Sequence, residues 1–467
     1  MLAIVATSLL VGCGDPDDDS RVLRRGNGGD PGSLDPSLAA DEHAFNVLAD
    51  LYEGLVVHGA DGSIQPGVAE HWEISGDGLT YTFHLRDDAR WSNGEAVVAD
   101  HFTHAFLRVI TTSSTSPLGF LLDPVKRFKA PDDRTLIVAL RSPSPHFLAV
   151  LAMSIAMPVW PGDETGSVTN GPYVLESWRP GELLRVRRNP HYREPAAYDA
   201  VEFYPIADPA TELARYRAGE LDITATVPPA SLDRLREERP DELVLAPKLA
   251  VYYLALDLSE PALADPLLRE ALSRVIDREA LVNVLGRGEQ AAYGFVPDGI
   301  TGYEPARYEW DGQIEEISDP PAITLLYDTG DVHEKIALAV ASMWQKKLGI
   351  DVTLEKREWK YFLESRDRRQ DWDVMRFAWT GDYAHPTAFL DMFVSDNPMN
   401  LPAYRNPEYD RLVAAGDYGR AEAVLLADYP VIPLYFYVSK HLVSPALHGY
   451  VSNPLDIHPS RFLSPAP

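Results

Sequence analysis

The stretch Ala322–Leu354 restricts the fold more than any other. Ala322-Ile-Thr-Leu-Leu-Tyr327 is a short apolar run, Glu334–Leu348 has helical periodicity with a stop at Gly349, and Ile350-Asp-Val-Thr-Leu354 is extended again. A strand, helix, strand unit of this kind crosses over right-handedly into a parallel sheet, so an α/β lobe is required. A third strand follows at Asp373–Trp379, aromatic and apolar with no helical stripe, as suits burial on both faces. Gly381 breaks the run. Pro386 stands where a helix begins, and Ala388, Phe389, Leu390 and Met392 form its apolar side. That leaves Asp382 at the strand-to-helix junction, and ligands sit at the carboxyl ends of strands in open α/β sheets. Two readings of Asp382 are open here: a turn or cap aspartate bonded to its own backbone, or a carboxylate that meets a ligand.

The chain has 467 residues, more than one hydrophobic core covers, so two or three substructures are expected. Its net charge of -28 argues against nucleic acid, which demands basic patches, and against lying flat on anionic lipid. The single cysteine, Cys13, excludes an internal disulfide and a cysteine-based metal site. Leu2–Val11 is apolar but too short to span a bilayer, and it suits a signal-peptide core. It ends in Leu10-Val-Gly-Cys13, which resembles the lipobox of bacterial lipoproteins, where the cysteine carries the lipid. The missing basic residues before Leu2 suggest a start further upstream. Residues 14–31 read as a polar tether.

Further along, Asp41–Tyr52 is helical, with Ala44, Val47, Leu48, Leu51 and Tyr52 on one face. Trp72-Glu-Ile-Ser and Thr80–Leu85 form a hairpin across Gly76-Asp-Gly78. Val97–Ile110 and Pro209–Ala218 are helices, Pro266–Arg278 is one amphipathic helix, and Val251–Leu256 and Val431–Val438 are strands. No nucleophile elbow, phosphate loop or His-Glu-x-x-His is present, so no enzyme is expected. His101 and His104 lie one helical turn apart. A satisfied histidine pair is the preferred reading there, and no metal site and no cofactor is expected.

Several short patterns share one order and spacing: Leu34-Asp-Pro, Leu51-Tyr-Glu-Gly-Leu, Pro66-Gly-Val-Ala-Glu-His-Trp, Gly78-Leu-Thr-Tyr-Thr-Phe-His-Leu-Arg and Trp91-Ser-Asn-Gly-Glu-Ala-Val-Val-Ala-Asp-His-Phe. With Thr169–Trp178, Leu184–Tyr192 and Gly219-Glu-Leu-Asp-Ile223, they make residues 32–463 resemble the oligopeptide/dipeptide class (family 5) of extracellular solute-binding proteins. The resemblance departs where residues 110–135 and 153–171 are abbreviated, and where a helix pair within 409–429 is reduced to Arg411–Val424.

The resemblance implies an α/β, class II periplasmic-binding-protein-like fold of two lobes around a hinge near Tyr252 and Val438. Lobe I would hold 32–55, 168–250 and 439–467, an extra subdomain 56–167, and lobe II 251–438. It also implies an oligopeptide ligand, delivery to ABC transporter permease subunits, and a monomer in the periplasm or cell envelope that touches membrane only through its lipid. In the family's Asp-Tyr-x-x-Pro pattern an aspartate receives the peptide's ammonium, and here that position is Asp382. Arg376, Ala378, Trp379, Thr380 and Gly381 match the pocket strand, and Trp359 a pocket tryptophan. Arg366 matches a basic residue near the ligand's far end, although the family's next histidine is Asp367 here. Tyr253, Tyr435 and Tyr437 match the hinge-side wall, where core packing is the competing reading. Trp379 and Trp359 divide evenly between core and pocket, and Arg376 has Asp373 or Asp382 as a candidate partner. An acidic pocket residue of some relatives falls at Ala40, beside Asp41 and Glu42. A murein-peptide binder, a metal-chelate or haem binder, and a sensor or chaperone that has lost transport remain as alternatives.

Overall fold

A computed structural model describes residues 21–111, 116–163, 166–308, 317 and 320–467. Cys13 and the lipobox therefore lie outside the described residues. Among those described, no helix is long and apolar enough to cross a membrane.

Three larger sheets organise the chain. The first orders Val22–Gly26, Ala200–Tyr204, Leu183–Arg188 and Tyr173–Arg179, the first pair parallel and the others antiparallel. The second is an antiparallel sheet in the order Ala69–Ile74, Thr80–Leu85, Thr135–Leu140 and Val125–Asp132. Helix Ala99–Thr111 covers it with the buried residues Phe102, Ala105, Phe106 and Val109. Six strands form the third, in the order Gln290–Ala291, Val431–Leu442, Leu243–Leu256, Val374–Thr380, Ile323–Asp328 and Val352–Arg357. As the crossover argument requires, Ile323–Asp328 runs parallel to both Val352–Arg357 and Val374–Thr380, with helix Asp331–Leu348 between. The architecture is mixed α/β, two lobes with a further subdomain on the first.

The long strands Leu243–Leu256 and Val431–Leu442 tie the lobes together. Their antiparallel ladder is interrupted: Pro247 faces Val438, and the next pair is Val251 with Phe436. Beyond the break, Val443 and Arg25 both bridge to Ile223, which joins the long strands to the first sheet.

Three local expectations need correction. The tether does not extend to residue 31, because Val22–Gly26 is a strand with Leu23 and Arg25 turned inward. The Arg25 guanidinium donates to the His458 carbonyl and the Ser460 hydroxyl, each at 2.8 Å, which fastens the segment to the C-terminal part of the chain. The expected helix Pro266–Arg278 is two, Pro266–Arg274 and Arg278–Leu285. Asp277 caps the second by accepting from the Ala280 amide at 2.9 Å. The buried Arg278 side chain donates to the Pro433 and Ser273 carbonyls, an arrangement a continuous helix would not allow. Finally, the reduced helix pair is two distinct helices, Pro407–Ala414 and Tyr418–Asp428, separated at Gly416, whose φ of 75° favours glycine.

One buried carboxylate links this helix pair to the centre of lobe II. Glu422 accepts from the Phe295 and Val296 amides at 3.0 and 2.8 Å through Oε1. Its Oε2 accepts from the Tyr303 hydroxyl and the Ala306 amide at 2.6 and 2.8 Å. Phe295, fixed in this way, packs edge-on against Tyr253, Phe389 and Phe393. In Glu422→Gln one oxygen becomes an NH2 group that cannot accept from the Ala306 amide. The expected loss of stability is about 1–3 kcal/mol, measured by denaturant unfolding monitored through tryptophan fluorescence.

Candidate ligand-binding site

Strand Val374–Thr380 is fully laddered on one side only. It pairs with Leu243–Leu256 from Val374 to Thr380, and the Gly381 amide extends the contact to the Leu249 carbonyl at 2.8 Å. On its other side, pairing with Ile323–Asp328 covers Val374 and Met375 alone. From Arg376 onward that edge has no ladder partner among the described residues. An edge of this kind presents backbone donors and acceptors to whatever lies beside it.

The strand ends in a fixed turn. The Trp379 indole donates to the Ala388 carbonyl at 2.6 Å, clamping the strand end to helix Thr387–Leu390. Two atoms of the Phe389 ring lie 2.7 and 2.8 Å from where a Cβ on Gly381 would be, so only glycine fits. Asp382 comes next, exposed on one side. No hydrogen bond or ion pair within the described residues reaches its carboxylate, and the turn and cap roles are not what it performs. Burial of its protein-facing side raises the carboxyl above its ordinary range.

Thr380, Gly381 and Asp382 form one wall of a cavity of about 160 Å³. Glu42, Phe45, Asn46 and Ala49 form another, spaced along one face of helix Glu42–Leu51. Ala152–Ser154 and Met157 close the subdomain side, and Lys248, with Leu455–Ile457, the hinge side. The cavity thus lies where the two lobes and the subdomain meet. Its lining is largely apolar, with charged side chains at Asp382, Lys248, Glu42 and Asp456. The Lys248 ammonium, unlike Asp382, is matched: it donates to Glu42 at 3.2 Å and Asp456 at 3.3 Å.

The other sequence-derived candidates fall into two groups. Arg376, Trp359, Tyr435 and Tyr437 gather around Tyr252, away from the cavity. Arg376 forms a buried ion pair with Asp328, and its guanidinium lies 5.2 Å from the Phe362 ring and 5.9 Å from those of Tyr252 and Trp359. Its partner is therefore neither Asp373 nor Asp382; the Asp373 carboxylate accepts from the Thr324 amide at 2.6 Å. Trp359 stacks on Phe362 and is 49% exposed, an open aromatic face. Tyr435 is buried, stacked on Tyr252 at 4.9 Å with Tyr437 edge-on at 5.2 Å. Ala378 faces Tyr252 in the ladder. Tyr253 and Arg366 stand apart. Tyr253 is a core residue rather than a wall residue, fully buried between Phe295 and Phe377. Arg366 is paired with Asp367 at 2.8 Å. His101 is occupied internally, its Nδ1 accepting from the Trp91 indole at 3.0 Å and the Val98 amide at 3.1 Å.

Sequence reasoning missed Phe45, Lys248 and Asp456, and named Glu42 only as a neighbour of the pocket position at Ala40. One signal was present, since Lys248 is a lone charge beside the apolar run Leu249–Leu256. The face of the first helix that carries Glu42 and Phe45 is the one opposite its core stripe.

Two lobes, an additional subdomain and a cavity at their junction define a bacterial extracellular solute-binding protein, a class that binds rather than transforms its ligand. Residues 63–400 match the model of "Bacterial extracellular solute-binding proteins, family 5 Middle", and the chain belongs to that family. It is 35% identical to the periplasmic oligopeptide-binding protein OppA of Salmonella typhimurium, over 97% of this chain and 94% of the relative. Its structure superposes on the unliganded open form of the periplasmic murein tripeptide-binding protein MppA with a TM-score of 0.86, at 33% identity, covering 96% of this chain and 98% of that one. For Haemophilus influenzae OppA in complex with the peptide RPPGFSPFR the TM-score is 0.76, at 31% identity and 96% and 99% coverage.

An unpaired carboxylate with a raised pKa costs stability whenever it is ionised. A proton binds it more tightly in the folded than in the unfolded chain, so the cost is full above the raised pKa and disappears below the unfolded value of about 3.9. Ligand-free Asp382→Asn should therefore melt at a higher temperature than the parent at pH 7. The gap should close as pH falls through that window, as scanning calorimetry across pH 3–7 will read directly.

Proposed function

We propose that this chain captures short peptides by their free amino end and delivers them to an ABC importer. The observation that carries this reading is the Asp382 carboxylate. It is unpartnered among the described residues, borders the inter-lobe cavity, and follows a strand whose outer edge is unladdered beyond Met375. An ammonium leaving water needs a fixed carboxylate and charge-assisted hydrogen bonds. The open edge from Arg376 to Thr380 would pair with peptide backbone as an added strand, which reads side chains only loosely. In this assignment Gly381, Thr380, Trp379 and Ala378 supply the backbone wall. Trp359, Arg376, Arg366, Tyr435 and Tyr437 lie toward the far end of the ligand, and the lobes close about Pro247–Val251 and Phe436–Val438.

The names of OppA and MppA support a peptide ligand and a periplasmic location. Export by the leader and lipidation at Cys13 belong to the same proposal, as does a monomeric state. A second reading, capture of murein peptides, draws on the high structural similarity to MppA.

Isothermal titration calorimetry with an unblocked tripeptide, its N-acetylated form and a tripeptide containing D-amino acids tests both. Loss of the ammonium, or Asp382→Asn, should weaken binding by about 3 kcal/mol, roughly 100-fold. Equal affinity for blocked and free peptides overturns the role of Asp382, and tighter binding of the D-containing peptide selects the murein reading.

A further inference from the structure

Behind the cavity wall, His441, Asp456 and His458 converge so that one donor atom from each lies within 4.8 Å of the others. The three side chains are 9%, 9% and 7% exposed, and they come from two separate parts of the chain. His441 lies near the end of the long strand Val431–Leu442. Asp456 and His458 belong to the C-terminal segment, and Asp456 holds a left-handed φ of 59°. Asp456 is also the member of the trio that borders the cavity.

Hydrogen-bond chemistry restricts what this cluster can be. His441 Nδ1 lies 2.8 Å from the Thr224 carbonyl, which can only accept, so Nδ1 carries a hydrogen. The opposite nitrogen, Nε2, lies 2.8 Å from Asp456 Oδ1. A bare nitrogen lone pair facing a carboxylate oxygen at that distance is repulsive. Something positive must lie between them, a proton or a metal ion. His458 Nε2 approaches the same Oδ1 at 3.3 Å and the Tyr450 hydroxyl at 3.1 Å.

We propose that His441, Asp456 and His458 form a binding site for a divalent transition cation of the zinc, cobalt or nickel type, set in the wall of the ligand cavity. Two imidazoles and a carboxylate suit such ions. Metal–ligand bonds of about 2.0–2.2 Å place tetrahedral donors roughly 3.4 Å apart; the His458–Asp456 pair already has this spacing at 3.3 Å, and the His441–Asp456 pair, 2.8 Å apart, opens as the ion takes the place of the proton. The outer contacts match those of metal-binding histidines and carboxylates: the Thr224 carbonyl orients His441, and Lys248 donates to the second Asp456 oxygen. Other groups facing the cluster are Arg25, which donates to the His458 carbonyl, the Tyr450 ring stacked on His458, and Glu42 beyond Lys248. The ion replaces the proton between His441 and Asp456, so the local charge rises by one and not by two. It would also fasten the C-terminal segment to the hinge strand whether or not a ligand is present.

The test is titration of the chelator-treated full chain with Co2+, followed by visible absorption and calorimetry. Expected are one tightly bound Co2+ per chain with the intense bands of a low-coordinate histidine site, and release of about one proton at neutral pH. His458→Asn, checked for an intact thermal transition, should weaken uptake by about 100-fold or more. The paired substitutions His71→Ala and His84→Ala, which remove a stacked surface histidine pair, should leave it unchanged. Absence of uptake, uptake that survives His458→Asn, or uptake lost with the surface pair overturns the site. If His458→Asn does not fold, pulsed EPR of the Cu2+-loaded parent decides: two coordinated imidazoles support the site, and one or none overturns it.

Discussion

Asp382, a carboxylate without a partner among the described residues, is the constraint around which the site is arranged. Placing a charge where water is partly excluded costs free energy unless another group compensates, and the fold meets that cost with rigidity. The Trp379 indole is fixed to the Ala388 carbonyl, the Phe389 ring fills the place of a Gly381 side chain, and Phe295 packs behind Phe389. Phe295 is held by the four-donor carboxylate of Glu422. These contacts hold the turn that carries Asp382 in place, and under the proposed function the compensating positive charge is the ligand's ammonium.

Lys248 shows the opposite solution a short way along the same cavity. Its ammonium is already matched by Glu42 and Asp456, whereas the Asp382 carboxylate has no partner among the described residues. It is this difference that the proposed capture of a ligand's cationic end rests on. The irregular ladder between Pro247–Val251 and Phe436–Val438 lies beside Lys248, which couples the cavity wall to the strands that join the lobes. Similarity to an open, unliganded relative at a TM-score of 0.86 fits the exposure of Asp382 on its outer side.

Much of this was legible in the sequence wherever the determinant is local. Strand period, the Gly381 break and Pro386 place Asp382 at a strand end, and the crossover rule gives the parallel direction of Ile323–Asp328 and Val352–Arg357, though not the strand order. Long-range pairing was not legible. Lys248 meets Asp456 across 208 positions, and no periodicity records that. Arg376 was given Asp373 or Asp382 as a partner, but the parallel register sets Leu326 against Met375 and so brings Asp328 within reach of Arg376. For Tyr253 the resemblance implies a place in the hinge-side wall with core packing as the other reading, and its burial between Phe295 and Phe377 agrees with core packing.

The most direct measurement is a crystal structure of the chain with an unblocked tripeptide. The peptide's ammonium nitrogen is predicted to lie about 2.7–2.9 Å from an Asp382 oxygen, with its backbone alongside Arg376–Thr380. A peptide whose amino end lies elsewhere, with Asp382 still facing solvent, would contradict the central claim.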